Sequence, residues 1–195
     1  VTKTLFLGPK ESNIMAWLER QGECVEQTSE KLSLTWLKSQ KFDFLVSYGY
    51  RHILRPEVLA LFPQRAINLH ISYLPWNRGA DPNFWSFFDN TPKGVTIHYI
   101  DQGLDTGNII AQQQLEFNVD TETLASSYDK LCAYIEALFT EYWLSIKSLS
   151  CPNIPQVGTG SYHAAKDLAV LKPLLIKGWD TQIKPIVEAG LEAKR

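Results

Sequence analysis

Cysteine is scarce: the 195 residues hold three, Cys24, Cys132 and Cys151. The number is odd and no two stand at the spacing of a metal knuckle. A disulfide framework and a structural zinc site are therefore not expected, and the thiols read as reduced ones of a cytoplasmic protein. Neither sign of charge is in excess, with a formal net charge of -2 and a pI near 6.1. That balance argues against a general binder of nucleic acid or another polyanion. No apolar run approaches the ~20 residues that cross a bilayer, and no charged-then-apolar leader pattern opens the chain, so no membrane association is expected. The motifs G-x-G-x-x-G, G-x-S-x-G and H-E-x-x-H are all missing. Their absence removes the dinucleotide fingerprint, the serine nucleophile elbow and the zinc-protease helix. There is no internal repeat and no low-complexity block.

What is present is an ordinary globular composition, 45% hydrophobic and 21% charged, long enough for one domain with a sizeable core. Aromatics are plentiful, with 6 Trp, 8 Tyr and 9 Phe. Several fall in loops, where recognition of a flat ligand competes with core packing as their purpose. Strand-like runs at residues 4–7, 23–28, 42–47, 66–70, 95–100 and 109–117 alternate with helical stretches at 12–22, 29–40, 56–61 and 81–88. Ser29 is a candidate cap for the second of these helices, and Asp81-Pro82 reads as the cap and first position of the fourth. From Asp120 or Thr121 a long helix to about Leu149 carries Leu124, Tyr128, Leu131, Ile135, Leu138, Tyr142 and Ile146 as one apolar stripe. Residues 151–162 form a Pro/Gly-rich loop, and 163–190 give weaker helical signals interrupted at Pro173 and Pro185. The expectation is a catalytic domain over 1–150 with an extension, 151–195, packed on it.

Alternation of this kind predicts an α/β fold, a mostly parallel twisted sheet with helices on both faces. Ligands of such sheets bind beyond the carboxyl ends of the strands. Three stretches stand there: residues 8–13, 48–54 and 68–79. The first places helix N–H groups where an anion would suit them, although a plain first βα unit explains it equally. The chemistry concentrates in residues 67–107, INLHISYLPWNRGADPNFWSFFDNTPKGVTIHYIDQGLDTG. Asn68 and His70, two apart on a strand, share a face. His98 lies on a second strand, and Asp105 sits in a glycine-bounded turn. An Asn amide donates to an oxyanion without changing charge, a His gives or takes a proton, and an Asp can hold that His or pass a proton through water. Without a nucleophile of its own, such a set suits attack on an acyl carbon by an amine that belongs to the substrate. Singly, each residue has a structural alternative: a turn Asn, a satisfied His, a turn-forming Asp.

The pattern Asn68-x-His70, Leu74-Pro75, Gly79, Gly94-Val95-Thr96 and Leu104-Asp105-Thr106-Gly107 resembles the folate-dependent formyltransferases. That family includes glycinamide ribonucleotide formyltransferase, the N-terminal domain of methionyl-tRNA formyltransferase, the nucleotide-sugar N-formyltransferases and the formylation domain of linear-gramicidin-type peptide synthetases. The resemblance is strongest over residues 42–114.

It implies a Rossmann-like formyltransferase fold and 10-formyltetrahydrofolate as formyl donor, with no metal. Asn68, His70 and Asp105 would match the family's catalytic residues. Tyr50, His52, Ile53 and Leu54 in one loop, and Asp101, Gln102 and Leu104 in another, would hold the folate. Asn77, Arg78, Gly79 and His98 would face the acceptor. The run HISYLPWNRGADPNFWSF looks most like the sugar enzymes and the synthetase domain, so the acceptor implied is the primary amine of a nucleotide-linked amino sugar. An aminoacyl group on a carrier protein is the alternative. The first turn, GPKESN, departs from the purine enzyme's pattern, and 195 residues leave no room for a separate tRNA-binding domain. A homodimer is compatible with this reading, and a folate-dependent hydrolase or an inactive binder is the alternative of a different class.

Overall fold

A computed structural model describes residues 1–195. In chain order the elements are β1 (Lys3–Leu7), α1 (Asn13–Arg20), β2 (Cys24–Thr28), α2 (Leu34–Gln40), β3 (Phe44–Ser47), α3 (Pro56–Leu59), β4 (Ala66–His70), β5 (Arg78–Gly79), α4 (Pro82–Phe88), β6 (Lys93–Tyr99), β7 (Ile109–Leu115), α5 (Leu124–Lys147), β8 (Tyr162–His163), a 3-10 helix (Asp167–Leu174), β9 (Ile176–Trp179) and α6 (Ile183–Ala193). Six strands form one sheet in the order β2-β1-β3-β4-β6-β7, in which β1 pairs in parallel with β2 and β3, and β3 with β4. The α/β fold with a mostly parallel sheet is thus the one expected, and β7 ends the strand order.

The chain divides into two compact units. The first comprises Val1–His70, Ile97–Ala111 and Glu136–Pro155. Here the central strands are buried on both faces, which is why β3 reads FLVS with no polar alternation. Leu5, Leu7 and Leu45 pack on one another with Leu32, Leu37, Val58 and Phe62. Trp143, Phe139 and Phe44 form a chain of ring contacts, with centroids 5.3 and 5.7 Å apart. The second unit comprises Ile71–Thr96, Gln112–Ile135 and Gln156–Arg195. Its core joins Phe84, Trp85 and Phe87 to Leu124, Leu168, Ile183 and Ile186. In it α6 lies against α4 so closely that a Cβ at Gly190 would stand 1.8 Å from the Phe88 carbonyl oxygen.

Four local expectations change. The helix expected from Ser29 begins at Leu34, because the capping side chain is Ser33, which accepts from the Trp36 N–H at 3.4 Å. The long helix starts at Leu124 because Thr123 and Ser126 cap it reciprocally, each side chain accepting from the other's backbone N–H at 2.9 and 3.0 Å. Tyr128 falls out of the apolar stripe and is half exposed, while Phe139 and Trp143 are buried. Residues 162–193 hold two short strands, a 3-10 helix and α6. Pro185 does not break α6, since it stands in the first turn, where an N–H has no intrahelical partner to lose.

Glu23 is the buried carboxylate that ties α5 to the amino-terminal strand of the first unit. Burial works against its charge. Even so, Lys147, the Thr2 backbone N–H at 2.7 Å and the Trp143 indole N–H at 3.3 Å hold it below the ordinary carboxylate range. A depressed carboxylate stabilises the fold above its unfolded pKa of about 4.3, and that contribution is lost as the pH falls through the lower folded value. Glu23→Gln should therefore cost about 1–2 kcal/mol at pH 7 in chemical denaturation, with the gap to the parent protein closing below about pH 4. A gap independent of pH would show that packing, not charge, is what Glu23 supplies.

Candidate active site

The carboxyl ends of β3 and β4 meet the stretch of β6 that holds His98 in the first unit. Ser47 ends β3 and is the register partner of Asn68. His70 ends β4, and His98 is the penultimate residue of β6. These positions bring three polar side chains around one carboxylate. Asn68 Nδ2 lies 3.2 Å from Asp105 Oδ1, His98 Nε2 lies 3.4 Å from the same oxygen, and His70 Nε2 lies 3.7 Å from Oδ2. His98 is 2% exposed and His70 7%. The two imidazoles meet edge to face, with centroids 6.3 Å apart.

His98 has a defined tautomer. Its Nδ1 is 2.8 Å from the Tyr99 carbonyl oxygen, which can only accept, so Nδ1 carries a proton. Nε2 then has two states. Neutral, it accepts from Asn68 Nδ2 at 3.3 Å; protonated, it donates to Asp105. His98 is tied to both Asn68 and Asp105.

Asp105 is placed by its turn. Its φ is +54°, a left-handed conformation that costs an L-residue roughly 1 kcal/mol and that Asp tolerates better than most. Asp101 Oδ1 holds the turn by accepting from the Gly103 N–H at 3.0 Å and the Thr106 hydroxyl at 2.6 Å. Gly107 follows where a Cβ would stand 1.7 Å from the Tyr99 carbonyl oxygen, so only glycine lets the chain leave the turn against β6.

Beside this cluster is a cleft of about 100 Å³. It is lined by the loop residues Tyr50, His52, Ile53 and Leu54, by Ile100, Asp101, Gly103 and Leu104, and by the polar residues Ser47, Asn68, His98 and Asp105. Of the residues expected to meet a folate, Gln102 is not among the lining. It belongs to the same turn and is exposed. Ser47, Ile100 and Gly103 line the cleft and were not anticipated, although the rule that ligands sit beyond strand ends points to Ser47. Tyr50 contributes its ring rather than its hydroxyl. The hydroxyl donates to the Glu30 carbonyl at 2.7 Å, and burial pushes the phenol above its ordinary range. Apolar walls, an edge-to-face Tyr50–His52 pair and polar groups at one end suit a flat heteroaromatic ring with a reactive group on the polar side. No set of three or more His, Cys, Asp and Glu is arranged to hold a metal ion.

Asn77, Arg78 and Gly79 belong to the second unit and are engaged there. Asn77 is fully buried; its amide donates to Thr91 at 2.8 Å and its backbone N–H to the Ser161 hydroxyl at 2.8 Å. Arg78 and Gly79 form β5, paired in parallel with β8.

Residues 16–140 match the family model described as formyl transferase. The chain belongs to the formyl transferase family. It is 47% identical to the formyltransferase PseJ from Anoxybacillus kamchatkensis, whose crystal structure is a complex with UDP-4,6-dideoxy-4-formamido-L-AltNAc and tetrahydrofolate. That likeness covers 96% of this chain and 99% of PseJ, with a TM-score of 0.92. The chain is also similar to the methionyl-tRNA formyltransferase of Anaeromyxobacter dehalogenans, at 38% identity over 122 residues covering 60% of this chain. The methionyl-tRNA formyltransferase of Desulforamulus reducens is 30% identical over 167 residues, covering 83% of this chain. The chain spans 39% and 47% of the length of these two relatives.

If Asp101 fixes the turn, Asp101→Ala should free the Gly103 amide. Hydrogen–deuterium exchange across residues 102–106 should then quicken about tenfold, the equivalent of one ordinary hydrogen bond, while β1 and β3 keep their protection. Unchanged exchange would place the control of Asp105 elsewhere.

Proposed function

We propose that the protein transfers a formyl group from 10-formyltetrahydrofolate to the primary amine of a nucleotide-linked amino sugar. The observation that carries this reading is the end-to-end likeness to PseJ, which holds a formamido sugar nucleotide together with tetrahydrofolate. The methionyl-tRNA relatives support the family equally well, but the chain covers less than half of each, so they weigh less on the choice of acceptor.

In this reading the folate's ring system takes the cleft lined by Tyr50, His52, Ile53 and Leu54 and by the turn that begins at Asp101. When bound, it supplies the formyl carbon. Asn68 and His70 donate to the formyl oxygen as charge develops on it, since both are held at the end of β4 with their polar atoms toward the same place. In the resting geometry Asn68 Nδ2 faces both Asp105 and His98 Nε2. Protonation of His98 removes one of those acceptors and frees an N–H for the formyl oxygen. The attacking amine loses one proton as its C–N bond forms, and the folate nitrogen gains one as its bond to the formyl carbon breaks. Asp105, touched by both imidazoles, is the group that can take the first proton and return one through water.

Incubation with 10-formyltetrahydrofolate and a panel of UDP- and dTDP-linked amino sugars should release tetrahydrofolate only when an amine is present, with the formamido sugar detected by mass spectrometry. Release without any amine would make the protein a hydrolase. Asn68→Ala and His70→Ala should each lower kcat/KM by about a hundred- to a thousandfold, the usual loss on removing an oxyanion donor. Near-parental rates in either would move the active site elsewhere.

A further inference from the structure

The second unit contains an arginine whose guanidinium is held by neutral acceptors. Arg78 Nε and Nη2 both donate to Gln156 Oε1, at 3.1 and 2.7 Å, and Nη1 donates to the Thr159 carbonyl at 3.4 Å. Every one of these acceptors is neutral. The acid four positions before Lys93, Asp89, is engaged otherwise, with its Oδ2 2.7 Å from His163 Nε2. Asp167, on the same stretch of chain, accepts from the Ala164 N–H at 2.7 Å. A guanidinium has five N–H donors, so this one is oriented by three and keeps one on each Nη for a ligand.

Its surroundings fix it in place. The Arg78 backbone N–H donates to the Ser161 carbonyl at 3.0 Å, within the β5–β8 pair. The His163 ring stacks on Trp85 at 3.7 Å and 2° between planes, which holds β8 down. The connecting loop, residues 156–160, reads QVGTG. Val157, Gly158 and Thr159 are exposed, and their backbone N–H groups meet no acceptor in the chain. Gly158 has φ +92° with open space where a Cβ would be. Tyr162, which packs against Gly79, is 54% exposed.

We infer that Arg78 and the loop of residues 156–160 form a receptor for the diphosphate of a nucleoside diphosphate. A fork-shaped, permanently charged donor held by neutral acceptors matches phosphoryl oxygens; it is a poor neighbour for an amine, which would be repelled in its protonated form. Glycine-rich loops with unpaired N–H groups add uncharged donors for the same oxygens. Tyr162 offers an exposed aromatic surface near the loop for the base. This rests on the reading that the acceptor is nucleotide-linked, and it assigns Arg78 to the phosphates rather than to the amine.

The test is calorimetric titration of the full chain with UDP, dTDP, uridine, inorganic pyrophosphate and tetrahydrofolate. A nucleoside diphosphate should bind at least tenfold more tightly than uridine, and pyrophosphate should compete with it. Arg78→Met should weaken nucleoside diphosphate binding about ten- to a hundredfold while tetrahydrofolate binds as before. Arg78→Lys should recover only part of the loss, because a point charge does not replace the fork. Equal binding of uridine and UDP, no binding of either diphosphate, or undiminished binding by Arg78→Met would overturn the assignment. Should Arg78→Met also lose tetrahydrofolate, Arg78→Lys decides: intact folate binding with weakened diphosphate binding supports the receptor, and parental diphosphate binding overturns it. Loss of diphosphate binding in a protein that formylates no amino sugar would leave the receptor standing and sink the acceptor reading. Formylation of amino sugars with Arg78 dispensable would do the reverse.

Discussion

One carboxylate organises the candidate active site. Asp105 gathers Asn68, His70 and His98, three side chains from two different strands, within 3.2 to 3.7 Å of its oxygens. Asn68 reaches it from the interior of β4, His70 from the end of that strand, and His98 from β6. The carboxylate itself sits on a turn that only local bonding maintains: the two hydrogen bonds to Asp101 and the close passage of Gly107 past β6. If the turn moved by an ångström, the two imidazoles and the amide would lose their common partner, and only the Asn68–His98 contact would still join them.

That geometry shows what a cluster without a nucleophile of its own can offer a reaction. The buried imidazoles and the half-buried amide can donate toward one place, and the carboxylate beside them can accept a proton. Orientation is supplied before any substrate arrives, which is the condition under which oxyanion donors contribute most. The His98 tautomer adds a further degree of control. Because the Tyr99 carbonyl fixes the proton on Nδ1, a change of protonation at Nε2 alters what Asn68 and Asp105 each face. The candidate site and the cleft beside it both lie within one compact unit, where the parallel strands β3 and β4 end.

The parallel sheet was legible because its strands are continuous apolar runs between glycine and proline punctuation, as in FLVS of β3. The site was legible in part: Asn68 and His70 stand two apart on a strand, and the Leu-Asp-Thr-Gly turn is bounded by glycines. What did not show was anything that depends on contacts far apart in sequence. Helix starts shifted where two candidate caps were available, because Ser33 rather than Ser29 meets a free N–H, and a propensity argument cannot choose between serines. The bond between His98 and Asn68 did not show, because the two are thirty residues apart in sequence. Ser47 carried no motif and became part of the site only through register with Asn68. The carboxy-terminal region read as broken helix because its strand β8 is two residues long and is stabilised by pairing with Arg78 and Gly79, which no local pattern announces.

The most direct measurement is a crystal structure of the protein with 5-formyltetrahydrofolate. The account predicts the pterin between Tyr50–Leu54 and the Asp101 turn, with the formyl oxygen within about 3.2 Å of Asn68 Nδ2 and His70 Nε2, the ordinary hydrogen-bond range. A folate bound elsewhere, or bound in this cleft with its formyl group directed away from Asn68, His70 and Asp105, would contradict it.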